Sequence, residues 1–477
     1  MLKNINYIFV DLDGTVIKTD LFVESIIKLV KRNPLNVFLI LLWLFQGRSV
    51  AKSKVASAID DLDVASLPYE EELIEYLKNE KKTGKQIILA TASHEIYAQQ
   101  VAEQLGIFDS VIATSAENNL KGKNKLKAIL EICNGQDFIY AGDSFADVPI
   151  WEAAAGGIYV NAPKSVVLAA ESAGKAEKQI ANKKGLIKPL LKQMRLHQWA
   201  KNTLVFVPLF TSHSYAQAEA FVQVIGAFLC FSICASGVYF LNDLFDLDSD
   251  RRHEKKRNRP LASCDLPLSI GVLGAIGLPL VSLSFAFFFL SWKFCLVLVA
   301  YFAITNLYSF WLKTKSTADV MTLAVLYTMR IAAGAAVINV EPSSWLLAFS
   351  IFVFVSLAYL KRYIEVSSIS GKTKKAHGRG YYEDDSETMF VLGIANITAS
   401  VLILALYINS QEVVNQYNNP KILWLMCFLM LYWGNRIWVG ARRGKVSEDP
   451  VVFALKDNIS RLVGLLFVLV VIAAKYI

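Results

Sequence analysis

From about residue 200 onward, apolar stretches long enough to cross a bilayer recur between short polar connections. This feature leaves the chain few options. Inside hydrocarbon every backbone N–H and C=O must be bonded within the spanning structure, and unbroken apolar runs of about 20 residues can do that only as helices. Nine spans can be drawn, at about 198–213, 217–240, 269–289, 292–311, 319–339, 344–362, 388–408, 420–439 and 459–476. The first is the shortest and is amphipathic at its start. The connections alternate in charge. Arg251, Arg252, Lys255, Lys256, Arg257 and Arg259 lie between spans two and three. Lys361, Arg362, Lys372, Lys374, Lys375 and Arg379 lie at the end of span six and beyond it, and Arg442, Arg443 and Lys445 follow span eight. Segments 211–217, 340–344 and 410–420 carry no Lys or Arg. The positive-inside rule then predicts cytoplasmic even-to-odd loops, a cytoplasmic N-terminal segment and a C-terminus outside.

Residues 1–190 differ: they are mixed, charged and globular in pattern. The whole chain is 54% hydrophobic, with a net charge of +8. The basic excess is concentrated in the predicted cytoplasmic loops, where anionic lipid is the natural partner, and nothing resembles a nucleic-acid-binding module. Six cysteines are scattered without C-x-x-C spacing, as expected of buried thiols in a reducing compartment. The apolar run Tyr7–Val10 is too short for a secretory signal, so the N-terminal segment is expected to stay in the cytoplasm, with the chain in a bacterial inner membrane. A homo-oligomer is compatible with all of this.

The densest chemistry lies at the end of span two, in Asn242-Asp243-Leu-Phe-Asp246-Leu-Asp-Ser-Asp250. On a helix Asp243, Asp246 and Asp250 share one face, and three convergent carboxylates repel each other unless they hold a hard cation. Mg²⁺ carrying a substrate phosphate fits such a place. Further candidates are Lys313 and Asp319 between spans four and five, Arg330 eleven residues on, Lys361 and Arg362 at the end of span six, and Arg379 before span seven. Loop cations also set topology and bind lipid, which accounts for any one Lys or Arg. It does not account for Asp319 and Arg330 within a span, where unpaired charge costs roughly several kcal/mol.

The Asp motif, followed by Asn258-Arg259-Pro260-Leu261-Ala262, resembles the UbiA superfamily of intramembrane prenyltransferases, a nine-span fold. The resemblance implies Mg²⁺ on Asp243, Asp246 and Asp250, with Asn242 beside the diphosphate. A second D-x-x-x-D motif is usual, but here Leu323 follows Asp319. That departure, with Arg195-Leu-His-Gln-Trp199-Ala-Lys201-Asn202, Lys361-Arg362-Tyr363-x-Glu365 and Asp449-Pro450-Val451, is similar to the decaprenyl-phosphate phosphoribosyltransferase branch. That branch implies phosphoribosyl pyrophosphate and a polyprenyl phosphate as substrates. Lys201, Asn202, Arg257, Arg259, Lys313, Asp319, Arg330, Lys361, Arg362 and Arg379 are then the candidates for binding them. A prenyltransferase acting on an aromatic acceptor is the alternative enzyme reading. A transporter with midplane carboxylates is disfavoured, because the acids cluster at the cytoplasmic ends.

The N-terminal segment carries its own signature. A short buried strand, Tyr7–Val10, ends in Asp11-Leu12-Asp13-Gly14-Thr15; Thr91 follows the strand 86–90; Lys125 lies in Lys121-Gly-Lys-Asn-Lys125; and Gly142-Asp143-Ser144-Phe-Ala-Asp147 follows the strand 138–141. Strands alternating with helices predict a doubly wound parallel sheet with its site at the carboxyl ends of the strands. The four motifs resemble those of the haloacid dehalogenase superfamily. The resemblance implies that Asp11 attacks phosphorus and Asp13 is the acid and base. It also implies Mg²⁺ on Asp11, Asp143 and Asp147, with Asp13 a further candidate ligand, and Thr91 and Lys125 on the phosphoryl oxygens. Lys123 competes for the Lys125 role, since spacing does not separate them. Residues 18–80 are expected to form a helical cap, in which 37–45 is either a buried helix or an interfacial anchor. The expected domains are therefore 1–185 (α/β) and 186–477 (all-α, membrane). Their fusion suggests a phosphatase that removes the 5-phosphate from a lipid-linked phosphoribose, giving a polyprenyl-phosphoryl pentose for cell-envelope glycans.

Overall fold

A computed structural model describes residues 5–115, 120–171, 176–180, 185–367, 379–446 and 449–477. Lys372, Lys374 and Lys375 of the sixth-to-seventh loop lie outside them. The chain divides into two compact units, one of Met1–Met194 with Tyr239–Gly274 and one of Arg195–Val238 with Ala275–Ile477.

In the first unit six strands form one sheet: β1 (Tyr7–Val10), β2 (Gln86–His94), β3 (Ser110–Thr114), β4 (Phe138–Gly142), β5 (Gly156–Val160) and β6 (Ala176–Ile180). Their order is β3-β2-β1-β4-β5-β6 and every pairing is parallel. The runs YIFV, FIYAG and GGIYV are apolar without alternation, as a sheet covered on both faces requires, and β4 and β5 are buried at every position. The chain leaves β1 first toward β2 and later returns to its other side with β4. The carboxyl ends of β1 and β4 therefore meet at a topological switch point. The predicted doubly wound sheet is what forms.

The segment after β1 is helical. Asp20 caps helix Leu21–Arg32 by accepting from the amides of Phe22 and Val23. Helices Leu21–Arg32, Asn36–Phe45 and Arg48–Ala58 share a small cluster of Leu29, Ile40, Val55 and Ile59. Helix Glu71–Lys82 instead puts Leu73, Ile74 and Leu77 into the core of the sheet with Ile8 and Val10. The apolar helix Asn36–Phe45 is not a buried cap helix: Ile40 is its one buried residue, and Phe38 and Phe45 are 70% and 89% exposed.

Among the described residues eight helices are long and apolar enough to cross a membrane: Ala218–Phe245, Leu268–Phe289, Trp292–Phe310, Ala318–Val337, Ser344–Ser367, Asp385–Ile408, Pro420–Arg442 and Asn458–Tyr476. Each falls within a few residues of a predicted span. The ninth, expected at 198–213, is not among them. That stretch is a 3-10 segment, Leu196–Phe206, followed by the short helix Val207–Thr211. Lys201 and Asn202 are buried in it and bonded to partners, and Pro208 sits at the start of its short helix. Its Val205 carbonyl lies so close to Gly334 that any side chain there would collide with it. The apolar count along the stretch is therefore divided between inward polar contacts and an irregular backbone. Two buried clusters hold the second unit together, one around Phe354, Leu360 and Trp438 and one around Phe231, Phe294 and Leu298.

Candidate active sites

At the switch point of the sheet, β1 delivers Asp11 and β4 delivers Asp143, with Asp147 one turn further on. One ligand oxygen from each carboxylate lies within 4.8 Å of the others. Asp147 is fixed from several sides. It accepts from the Tyr140 hydroxyl at 2.7 Å, the Ser144 amide at 3.1 Å and the Ser144 hydroxyl at 2.9 Å. Lys125 is buried, with its Nζ 3.0 Å from Asp11 Oδ1, 3.5 Å from Asp147 Oδ1 and 2.9 Å from the Tyr140 hydroxyl. Burial opposes charge on this lysine, but Asp11 and Asp147 outweigh it and hold its pKa above the ordinary value. Asp11 shifts upward because it is buried, and Lys125 offsets only part of that.

The Asp13 carboxylate faces elsewhere. It accepts from the Leu21 amide at 3.1 Å and from the Ser93 hydroxyl. Burial, reinforced by Asp20, pushes its pKa up to about 7, a value suited to an acid that exchanges a proton near neutrality. Thr91, fully buried on β2, accepts from the Ser93 amide at 3.0 Å. Gly14 has φ +78°, and a Cβ there would run into Asp143, so this turn admits only glycine.

The membrane aspartates are arranged differently. Helix Ala218–Phe245 carries Asn242 and Asp243 and stops before Asp246, which precedes the short helix Leu247–Arg252 bearing Asp250. Asp243 and Asp250 are buried, and the same Arg259 nitrogen contacts both, at 3.0 Å and 2.6 Å. Gln193 donates to the other oxygen of Asp243 at 2.8 Å. Burial raises the Asp250 pKa and Arg259 offsets part of the effect. Among the described residues these aspartates are not gathered as closely as Asp11, Asp143 and Asp147. Arg257 is exposed on the following turn.

In the second unit Asp319 is completely buried. It accepts from the Tyr308 hydroxyl at 2.7 Å and from Arg362, with Arg379 at 3.5 Å. Glu365 pairs with Arg362 and lies 3.6 Å from Arg379, so two guanidinium groups and two carboxylates interlock. Lys201 pairs with Asp449, and Lys201 and Lys361 together outweigh burial and hold the Asp449 carboxyl below its usual range. Arg330 donates to Asn202 Oδ1 at 2.9 Å and lies over the rings of Phe231, Tyr301 and Tyr327. Asn202 in turn donates to Ser232. Asp319 and Arg330, on one helix, thus have separate partners. Lys313 is half-buried in the turn before Asp319.

Residues 205–456 match the UbiA prenyltransferase family. The chain belongs to that family. In this UbiA protein, residues 8–152 also match the haloacid dehalogenase-like hydrolases. The protein y4nM of Sinorhizobium fredii is 33% identical over 459 residues, covering 96% of this chain and 88% of its own. The nodulation protein NoeC of Azorhizobium caulinodans is 33% identical over 270 residues, covering 56% and 86%. The decaprenyl-phosphate phosphoribosyltransferase of Mycobacterium tuberculosis is 33% identical over 185 residues, covering 38% and 61%. The protein is therefore an integral membrane enzyme of UbiA transferase type joined to a hydrolase-like α/β domain.

Several residues in the two sites of this UbiA protein were not singled out as site residues from sequence. Tyr140, Ser93, Gln193 and Tyr308 each hold a site carboxylate, while Glu365, already part of the Lys361-Arg362-Tyr363-x-Glu365 segment, pairs with Arg362. Ser93 and Gln193 reach Asp13 and Asp243 across 80 and 50 positions, and Tyr140 and Tyr308, only 7 and 11 positions from Asp147 and Asp319, belong to no motif that would flag them. Of the two rival lysines, Lys125 points into the carboxylates and Lys123 is exposed.

Proposed function

We propose that the membrane domain transfers 5-phosphoribose from phosphoribosyl pyrophosphate to a polyprenyl phosphate, and that the hydrolase-like domain then removes the 5-phosphate. The observation that carries this reading is the presence, on one chain, of phosphoribosyltransferase-like membrane sequence and a carboxylate cluster of Asp11, Asp143 and Asp147 with Asp13 close by in sequence.

In the first step the bond between ribose C1 and the pyrophosphate oxygen breaks and a bond from C1 to a lipid phosphate oxygen forms. That oxygen is already anionic, so no strong base is needed. Asp243, Asp246 and Asp250 are hard oxygen donors of the kind that suits Mg²⁺, which would displace or share the Arg259 guanidinium now contacting two of them. Bound there, Mg²⁺ would offset charge developing on pyrophosphate. Lys201, Lys361, Arg362, Arg379 and Arg330, with Lys313, Arg257 and Arg259, are the cations available for the 5-phosphate and the lipid phosphate. Asn202, Asn242 and Asp319 orient some of them or the substrate.

In the second step an Asp11 oxygen attacks phosphorus, the bond to the sugar O5 breaks, and Asp13 delivers its proton to O5. Asp13 then takes a proton from the water that cleaves the aspartyl-phosphate, releasing inorganic phosphate and a polyprenyl-phosphoryl pentose. Asp11, Asp143 and Asp147 converge as a Mg²⁺ site would, and the ion would screen the phosphoryl oxygens; Thr91 and Lys125 bind those oxygens. Both steps on one chain raise the effective concentration of the intermediate at the second site. The product is a lipid-linked sugar donor of the kind cell-envelope glycans require. The loop charges support an orientation with the N-terminal domain and active sites cytoplasmic and the C-terminus outside, which we place in a bacterial inner membrane.

The test uses detergent-purified protein, Mg²⁺, ribose-labelled phosphoribosyl pyrophosphate and a polyprenyl phosphate. Label should enter the lipid extract with wild type and not with Asp243→Ala. Label entering lipid only from a prenyl diphosphate, onto an aromatic acceptor, would replace this reading with the prenyltransferase one.

A further inference from the structure

The first unit contains a cavity of about 380 Å³ with two unlike sides. One is the phosphatase centre, with Asp13, Gly14 and Asp143. The other includes Ser263, Cys264, Asp265 and Ser269, which lie far along the chain, just after the aspartate motif. We infer that the segment 263–269 is a wall of the phosphatase substrate pocket and selects its leaving group, a hydroxyl-rich alcohol of sugar type. The inference rests on the phosphatase reading and specifies its substrate class.

The wall is fixed in place. Arg251, the residue after Asp250, donates to Glu24 at 2.5 Å and 3.3 Å and to the Ala262 carbonyl at 3.1 Å, and lies 3.7 Å from the Cys264 sulfur. Burial opposes the Arg251 charge, but Glu24 outweighs it and raises the pKa further. Glu24 accepts from the Thr19 hydroxyl at 2.8 Å, and the Thr19 carbonyl accepts from the Gly14 amide at 3.2 Å. One run of bonds therefore joins the wall to the turn bearing Asp11 and Asp13. Cys264 takes φ +57°, unusual for a side-chain-bearing residue, and the reversal is closed by Leu266 N–H to the Pro260 carbonyl at 2.9 Å. Ser263 donates to Asp265 at 3.2 Å.

The chemistry of the pocket favours one kind of alcohol. Beyond the catalytic aspartates it presents Asp20, Glu70 and Asp265, with Asn161, and among its described lining residues Lys18 is the single cation, 3.6 Å from Glu70. A leaving group with its own carboxylate at this rim would meet like charge. Sugar hydroxyls would donate to the same oxygens. The volume suits a sugar phosphate head and not a long prenyl tail, so a lipid-linked substrate would leave its tail outside.

The experiment compares ribose 5-phosphate with p-nitrophenyl phosphate, which has no hydroxyls to read, on the full-length protein. Asp265→Ala should raise KM for ribose 5-phosphate about tenfold while kcat/KM for the aryl phosphate stays within twofold. Asp265→Lys should gain activity toward 3-phosphoglycerate, an outcome that misfolding cannot produce. Equal losses on both substrates, or no change on either, with no gain from the lysine, would overturn the wall's role while leaving the phosphatase standing. Wild type that hydrolyses neither substrate, as Asp11→Asn should, would remove the phosphatase reading and this inference with it.

Discussion

Asp11, Asp143 and Asp147 form one set of carboxylates and Asp243, Asp246 and Asp250 another, and the fold treats the two in opposite ways. The first three converge from the ends of two neighbouring strands, with Lys125 at their edge and their ligand oxygens within 4.8 Å of one another. The second three lie along eight residues where a membrane helix gives way to a short one, and Arg259 already bridges Asp243 and Asp250. A parallel sheet concentrates charge because its strands end together; a helix spreads the same residues over two turns. The sheet site is thus ready for a cation with little rearrangement, whereas the helix site has a guanidinium to displace or share.

The largest expected effect breaks the sheet site. Asp11→Asn should lower phosphomonoester hydrolysis by about 10⁴-fold or more, since an amide cannot serve as the nucleophile, with lipid labelling unchanged. A comparable loss of labelling would mean the two sites are not separate.

Next is the second unit, where cations and acids are held without any such opening. Arg362→Ala leaves Asp319 buried without its closest charged partner and should cost about 3–5 kcal/mol, read as a lower unfolding temperature in detergent. An unchanged melting temperature would show the interlocked charges to be structurally idle.

Lys125→Ala should reduce hydrolysis by roughly 10²- to 10³-fold, the usual effect of deleting one donor to a developing charge. Lys123→Ala should stay within twofold, because that side chain is exposed. The reverse pattern would return the role to Lys123.

The smallest change separates the two kinds of carboxylate site most finely. In Arg259→Ala the Mg²⁺ needed for half-maximal transfer should fall, while KM for phosphoribosyl pyrophosphate should rise about tenfold, worth roughly 1.4 kcal/mol. If neither constant moves, Arg259 plays no part in the site.

What could be read from the residues divides along the same line. The hydrolase-like motifs are each short, and their resemblance to the haloacid dehalogenase pattern was enough to collect Asp11, Thr91, Asp143 and Asp147. The choice between Lys123 and Lys125 was closed to spacing, because it depends on which side of helix Lys123–Cys133 faces the sheet. Apolar runs located eight spans to within a few residues. The ninth failed because a hydropathy window counts residues 198–213 without seeing that Lys201 pairs with Asp449, 248 positions away. The link from Arg251 to Glu24, 227 positions apart, left no local trace either. Residues that act through near neighbours were legible; ion pairs closed across the fold were not.

The most direct measurement of the two-step account uses phosphoribosyl pyrophosphate carrying ¹⁴C in the ribose and ³²P in the 5-phosphate, followed through the lipid extract with time. In wild type the ³²P:¹⁴C ratio of the lipid should fall toward zero as inorganic [³²P]phosphate appears, and in Asp11→Asn it should hold at the ratio supplied. A wild-type ratio that never falls, with ribose firmly in lipid, would contradict removal of the 5-phosphate by this chain.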